Sequence, residues 1–210
     1  MEGKSIVSIK KELVEICKLM DQKGFVNAYD GNLSVKQDNL IYITPSGKSK
    51  LTLTQDMIAV IDENGNQIEG DYKPSSELTM HTNAYKVRDS IGAVIHAHSP
   101  YLTAHAICNK PVESKAFCEM IAIFKKINVA PYGRPGTEKI FKHVPEFLKT
   151  ENIVLLANHG VLAVGKDIES AFNTIEVAET ITKTLTIAKS IGTEDDLDKD
   201  EYDFLYDFKL

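Results

Sequence analysis

His96 and His98 stand two residues apart at the end of the apolar run Ile91-Gly-Ala-Val-Ile95. Alternate residues of an extended strand share a face, so this spacing sets two imidazoles side by side. Glu77 upstream and His159 downstream add a carboxylate and a third ring. Three imidazoles and one carboxylate, carried on ordered elements, make a nitrogen-rich set suited to a catalytic divalent ion, with zinc the first expectation. Neutral imidazoles leave such an ion its charge. The expected chemistry is therefore polarisation of a carbonyl and stabilisation of an enediolate formed beside it. That chemistry needs a base, and Glu77 can serve as the fourth ligand or as the group that moves the proton. The plainer alternatives are one core and one surface histidine, and a Glu77 that only complements a helix dipole.

Three further clusters suit an anion. Gly31-Asn32 ahead of Ser34, Ser46-Gly47, and Ser75-Ser76 offer backbone N–H groups or hydroxyls without bulk. Taken singly, each pair is equally at home in a turn or a helix cap. Together with the metal set, they point to a phosphorylated substrate.

The elements that must carry these groups can be traced along the chain. Ile6, Ile9, Leu13, Ile16 and Leu19 recur at helical spacing, which predicts an amphipathic helix over residues 5–22 that ends at Gly24. Two strands over 32–36 and 40–44 read as a hairpin, and a further strand spans 57–61. A helix is expected from Ser76 toward Arg88, then the strand bearing His96 and His98, then a helix from Pro100 to about Cys108. Residues 109–126 read as helix or irregular. A short strand over 128–130, a helix over 137–150 and strands over 153–156 and 161–164 follow, the last two joined by Asn158-His-Gly160. The longest helix runs from Ile168 to about Ser190. Strands in short hairpins and helices in blocks suggest a mixed, largely antiparallel sheet covered by helices. Residues 1–210 read as one domain, with 194–210 an acidic tail whose Tyr202, Phe204, Tyr206 and Phe208 are expected to dock on a neighbouring surface.

Composition narrows the function classes. The 210 residues carry 24 basic and 30 acidic side chains without a basic cluster, which argues against nucleic-acid binding. Apolar stretches fall far short of the ~20 residues of a membrane helix, and the N-terminus is too charged for a signal peptide, so a cytoplasmic protein without membrane partners is expected. Cys17, Cys108 and Cys118 are odd in number and form no C-x-x-C pair. They are expected to be small buried hydrophobes rather than a disulfide framework or zinc ligands.

Gly31-Asn-Leu-Ser34, Thr44-Pro-Ser-Gly47, Pro74-Ser-Ser-Glu77, His96-Ala-His98 and Asn158-His-Gly160, in this order and at these separations, resemble the class II aldolase/adducin-head family. The resemblance runs from the first helix to about Ser190. It implies a three-layer α/β/α fold around a mainly antiparallel sheet, and a four-fold symmetric homotetramer with active sites between subunits. It also implies one zinc ion per subunit on His96, His98 and His159, with Glu77 as ligand and proton carrier. Asn32, Ser46, Gly47, Ser75 and Ser76 would hold the substrate phosphate, with Gly31 shaping the loop. In the implied reaction, dihydroxyacetone phosphate loses a carbon-bound proton to Glu77 and the enediolate attacks a small aldehyde, or a ketose 1-phosphate is cleaved in reverse.

One position departs from the fuculose-phosphate aldolase branch, which is the nearest in pattern. Glu119, in Cys118-Glu-Met-Ile121, stands where that branch has a tyrosine, and is similar there to rhamnulose-phosphate aldolases and methylthioribulose-1-phosphate dehydratases. Glu119 is thus a candidate acid/base residue, its alternative being an ordinary surface glutamate. Residues 130–137 and 155–160 look more like the aldolases. A dehydratase, an epimerase of the ribulose-5-phosphate type, and a noncatalytic adducin-head-like module are the rival readings.

Overall fold

The structure is a computed structural model and describes residues 5–208. Helix α1, Ile6–Gln22, is started by Ser5, whose side chain accepts from the Ser8 N–H, and it buries Ile9, Leu13, Ile16, Cys17 and Met20. Eight strands form one sheet: β1 (Asn32–Gln37), β2 (Leu40–Ile43), β3 (Ala59–Asp62), β4 (Gln67–Glu69), β5 (Ala93–Ala97), β6 (Val129–Ala130), β7 (Ile153–Leu156) and β8 (Gly160–Gly165). Their order is β4-β3-β2-β1-β5-β8-β7-β6. Only β6 and β7 pair in parallel.

The pleat sends alternate residues into two separate cores. Leu33, Ile95, Ala97, Val161 and Ala163 pack on the side of α1, α3 (Pro100–Ile107) and α5 (Ile168–Ile191). Ile43, Val94, Leu162 and Val164 pack on the other side, against Met80, Ala84 and Tyr85 of α2 (Leu78–Tyr85) and against Leu148 of α4 (Pro145–Leu148). The result is the three-layer α/β/α arrangement with a mainly antiparallel sheet. No helix among the described residues is long and apolar enough to cross a membrane.

Several elements differ from the sequence expectations. The stretch 137–150 is not one helix but a 3₁₀ turn at Glu138–Phe141 followed by α4. Pro145 lacks an N–H to continue a helix but suits the first position of a new one. Strand β3 begins at Ala59, because Gln55–Met57 form a 3₁₀ turn, and β4 was not anticipated: its three residues are all exposed, so it has no apolar alternation to read. Helix α2 is shorter than expected, and Ser75 and Ser76 lie in the turn before it. Within 109–126 the chain makes a bridge between Val112 and Ile127 and a π-helical turn over Met120–Phe124.

The acidic tail is helical, not merely docked: α6, Lys199–Asp207, starts at Asp198, whose side chain accepts from the Asp200 and Glu201 N–H groups. The Lys125 ammonium lies 4.2 Å from the centre of the Tyr206 ring, so one side of α6 rests on the π-helical turn, while Phe204 stays exposed on the other. Cys17 is buried, which pushes its thiol up to about 12, but Cys108 and Cys118 are exposed and do not serve as core residues.

One interaction steers the chain as it leaves β5. Helix α3 starts directly after Ser99, and its orphan N–H groups at Tyr101 and Leu102 donate at 2.8 and 2.9 Å to the two oxygens of Glu179 on α5. Glu179 is almost fully buried. Replacing it by alanine would leave both N–H groups without partner or water, a cost of roughly 2–4 kcal/mol. Glu179→Ala is accordingly predicted to lower the urea midpoint by that equivalent, and an unchanged midpoint would show that the cap is dispensable.

Candidate active site

β5 places His96 on the α2 side of the sheet, next to Val94 in the alternation and directly opposite Asn32 in the pairing with β1. His98 follows just beyond the strand end. β8 flanks β5 on its other edge, and the tight turn between β7 and β8, with Asn158 at φ 57°, swings His159 over the same end. The ring centroids of the three histidines are 4.6–5.0 Å apart, and one nitrogen from each lies within 4.8 Å of the others.

The cluster is shaped to present lone pairs. His96 Nδ1 lies 2.9 Å from the Val161 carbonyl, which can only accept, so Nδ1 carries the proton and Nε2 faces the cluster bare. His96 Nε2 and His98 Nε2 are 3.0 Å apart, and Glu77 brings Oε2 to 3.5 Å from His96 Nε2 and Oε1 to 3.6 Å from His159 Nε2. Burial, helped by the neighbouring rings, holds His96 well below the usual imidazole range, and burial likewise lowers His159 against the opposing pull of Glu77. Both rings are therefore neutral and able to ligate at physiological pH. Glu77 Oε1 and His159 Nδ1 are buried with no hydrogen-bond partner. Orphaned polar atoms of this kind beside three converging nitrogens fit a divalent cation.

Two glycines make the approach possible. A Cβ on Gly160 would fall 2.5 Å from the Ala97 carbonyl oxygen and 2.7 Å from His98 Cδ2. Gly31 sits at φ 70°, where a side chain would also strike Val26 at 2.3 Å.

Beside the cluster lies a cavity of about 240 Å³ lined by Tyr29, Asp30, Gly31, Asn32, Pro45, Ser46, Gly47, Lys50, Ser75, Ser76, Glu77, His98 and His159. Every anion-binding candidate from the sequence therefore lines one space with three of the four metal candidates. The loops meet because Pro45 bridges Pro74, the Ser46 N–H donates to the Lys73 carbonyl at 2.9 Å, and the Ser75 N–H donates to the Thr44 carbonyl at 3.1 Å. Thr44 Oγ1 in turn accepts from the Leu33 N–H at 3.1 Å, which ties the paired loops to β1.

Glu119 is the exception. It is exposed, immediately ahead of the π-helical turn, and is not among the residues lining this cavity.

Three residues near the site were missed. Asp30 Oδ2 lies 3.3 Å from His98 Nδ1 and orients that ring. Lys50 is only 2 % exposed, and burial lowers its pKa. Its Nζ donates to the Lys48 carbonyl at 3.3 Å and has no carboxylate within ion-pair distance among the described residues. Lys48-Ser-Lys50 reads as a solvated run, so nothing in the sequence marked Lys50 as buried. His81 had a signal: it stands four residues after Glu77, on the same helical face.

The Gly160 geometry yields a prediction. Gly160→Ala should push the His98 ring away and weaken the protein's hold on a divalent cation, probed with added zinc, by at least about tenfold, the scale on which a misplaced metal shell is felt. Competition with a chromophoric chelator measures it, and an unchanged zinc affinity would mean the rings tolerate the methyl group.

Residues 11–186 match the Class II Aldolase and Adducin N-terminal domain family. An L-fuculose phosphate aldolase of Methanococcus maripaludis is 39% identical over 170 residues, covering 81% of this chain and 92% of that protein. A 3-oxo-tetronate 4-phosphate decarboxylase of Haemophilus influenzae is 35% identical over 177 residues, covering 81% of this chain and 84% of its own. A solved L-fuculose 1-phosphate aldolase superposes with a TM-score of 0.86 at 33% identity, covering 97% of this chain and 96% of that one. The chain belongs to the class II aldolase and adducin N-terminal domain family, among its metal-dependent enzymes of the aldehyde-lyase type.

Proposed function

We propose that this enzyme is a zinc-dependent aldolase that reversibly cleaves a ketose 1-phosphate, such as L-fuculose 1-phosphate, to dihydroxyacetone phosphate and a small aldehyde. The observation that carries this reading is the partnerless Glu77 oxygen and the three-imidazole cluster, beside a cavity that Asn32, Ser46, Gly47, Ser75 and Ser76 also line. A zinc ion held by His96, His98, His159 and Glu77 would supply Lewis-acid polarisation of the substrate carbonyl.

The chain's own groups divide the remaining work. Asn32, beside the loop that Gly31 shapes, and Ser46, Gly47, Ser75 and Ser76 on the two paired loops hold the phosphate, and Lys50 supplies the one buried positive charge lining the cavity. Glu77 takes the carbon-bound proton of dihydroxyacetone phosphate and returns it in the cleavage direction. Glu119, exposed and outside its own chain's cavity, acts on the site of a neighbouring subunit in a homotetramer, where it exchanges a proton with the aldehyde oxygen.

Dihydroxyacetone phosphate offered with a panel of small aldehydes, lactaldehyde included, should yield ketose 1-phosphates, and removal of the metal by a chelator should abolish the yield. Loss of water from methylthioribulose 1-phosphate, or inversion at C4 of ribulose 5-phosphate, without any aldol product would replace this reading by a dehydratase or an epimerase. Glu119→Gln is expected to lower turnover by more than about tenfold at unchanged zinc content, in the range of general acid–base contributions. Turnover equal to wild type would make it a surface residue. Lys50→Met should raise KM for dihydroxyacetone phosphate by about tenfold, as the loss of a charge-assisted hydrogen bond implies. A KM that does not move would remove Lys50 from phosphate binding.

A further inference from the structure

His81 has no task in the reaction above, yet it is completely buried and lies one turn along α2 from Glu77. Both of its ring nitrogens are engaged. Nδ1 is 2.7 Å from Ser34 Oγ, which is itself 2.7 Å from the Tyr85 hydroxyl. Nε2 meets Asn32 Oδ1, and Asn32 Nδ2 donates to Glu77 Oε2 at 2.9 Å. Tyr85, Ser34, His81, Asn32 and Glu77 thus form one continuous buried chain of hydrogen bonds that crosses from α2 to β1 and back.

The direction of every bond in this chain follows from its last member. A carboxylate only accepts, so the Asn32 amide must turn its NH₂ to Glu77 and its oxygen to His81; the flipped amide would set two oxygens against each other. The amide oxygen also only accepts, so the proton of His81 is on Nε2. Burial pushes His81 down to about 3, which keeps the ring neutral and leaves Nδ1 as a lone pair. Nδ1 therefore accepts from the Ser34 hydroxyl, whose oxygen accepts in turn from Tyr85. Buried polar chains satisfied in only one direction hold their members in one orientation.

We propose that His81 is a positioning residue for Glu77, acting through Asn32 to fix which carboxylate oxygen is held and which is left free. Oε2 is held by the amide. Oε1, buried and without a partner, is the oxygen that takes the proton. This inference rests on the reading of Glu77 as proton carrier. It assigns to the Asn32 side chain a duty besides phosphate contact, which falls to its second amide hydrogen, since its backbone lies in the ladder opposite His96.

A purely structural polar cluster would look alike in stability measurements, so the test uses readouts that such a role would not move. In the metal-free wild-type protein, long-range nitrogen–proton correlation spectra should show His81 protonated at Nε2 and bare at Nδ1; the opposite tautomer or a charged ring at neutral pH overturns the inference. In the zinc-loaded protein, the informative comparison is His81→Gln with His81→Asn. Glutamine can bring an N–H to the place of Nε2, whereas asparagine reaches only the place of Nδ1.

His81→Asn should lower the rate of deuterium exchange from solvent into dihydroxyacetone phosphate by about tenfold or more, with KM and zinc content within about twofold of wild type, and His81→Gln should restore most of that rate. Equal rates in the two variants, or a loss confined to KM or zinc content, would sink the positioning role. Should His81→Asn fail to fold, Ser34→Ala, which removes the donor to Nδ1, should mix the His81 tautomers and slow exchange; a single Nε2–H tautomer with wild-type exchange would refute the relay. A wild-type protein that exchanges no proton would instead defeat the aldolase reading, while the tautomer measurement still decides the relay.

Discussion

The site depends on the pairing of β5 with a strand on each edge. β1 sets Asn32 opposite His96, and β8 sets Leu162 opposite His96 while its Val161 carbonyl accepts a hydrogen bond from His96 Nδ1. A slip of one residue in either ladder would turn His96 into the core beneath α3 and α5 and bring Ile95 to the α2 side. That slip is opposed on both faces at once, because every residue of β5 is buried and its neighbours alternate between two apolar cores. The geometry of the metal candidates is thus held by the same burial that holds the sheet.

Burial also sets the chemistry. Three histidine rings brought together at a strand end would repel one another and lose their lone pairs if they were charged. Here desolvation keeps His96, His159 and His81 neutral, the first two as ligands and the third as a one-way hydrogen-bond bridge. Glu77 stands among them with one carboxylate oxygen bonded and the other not. The same low-polarity surroundings that would make an isolated carboxylate costly make its attraction to a cation strong.

Elements with an apolar period could be read directly from the residues: α1 by its Ile and Leu spacing, α5 by its length, and β5 by the run that ends in His96. The metal candidates were visible for the same reason, since i, i+2 spacing on a strand is a statement about one face. What escaped the reading has a common cause, namely that its order comes from partners distant in sequence. β4 shows no alternation because both of its faces are exposed, and α6 has an acidic, aromatic sequence that is anchored on the distant Lys125 turn. Lys50 is buried because loops and α1 close around it, which no local pattern encodes. Cys108 and Cys118 are exposed against expectation because the average burial of cysteine says nothing about residues at a helix end and beside a π-helical turn.

The anion side of the cavity differs in construction from the metal side. Two proline-containing loops are zipped together at Pro45 and Pro74 and pinned to β1 through Thr44, and the second of them runs through Ser75, Ser76 and Glu77 directly into the start of α2. Proline restricts the backbone on both sides of that bridge, so the serines and Gly47 that follow are presented with little loss of freedom on binding. Because Thr44 is bonded to Leu33, and Asn32 next to it is bonded to Glu77 and His81, the anion loops and the carboxylate are anchored on consecutive residues of one strand. A displacement of β1 by a fraction of an ångström would therefore shift phosphate grip and proton transfer together, and the distance between them is set by a backbone rather than by flexible side chains.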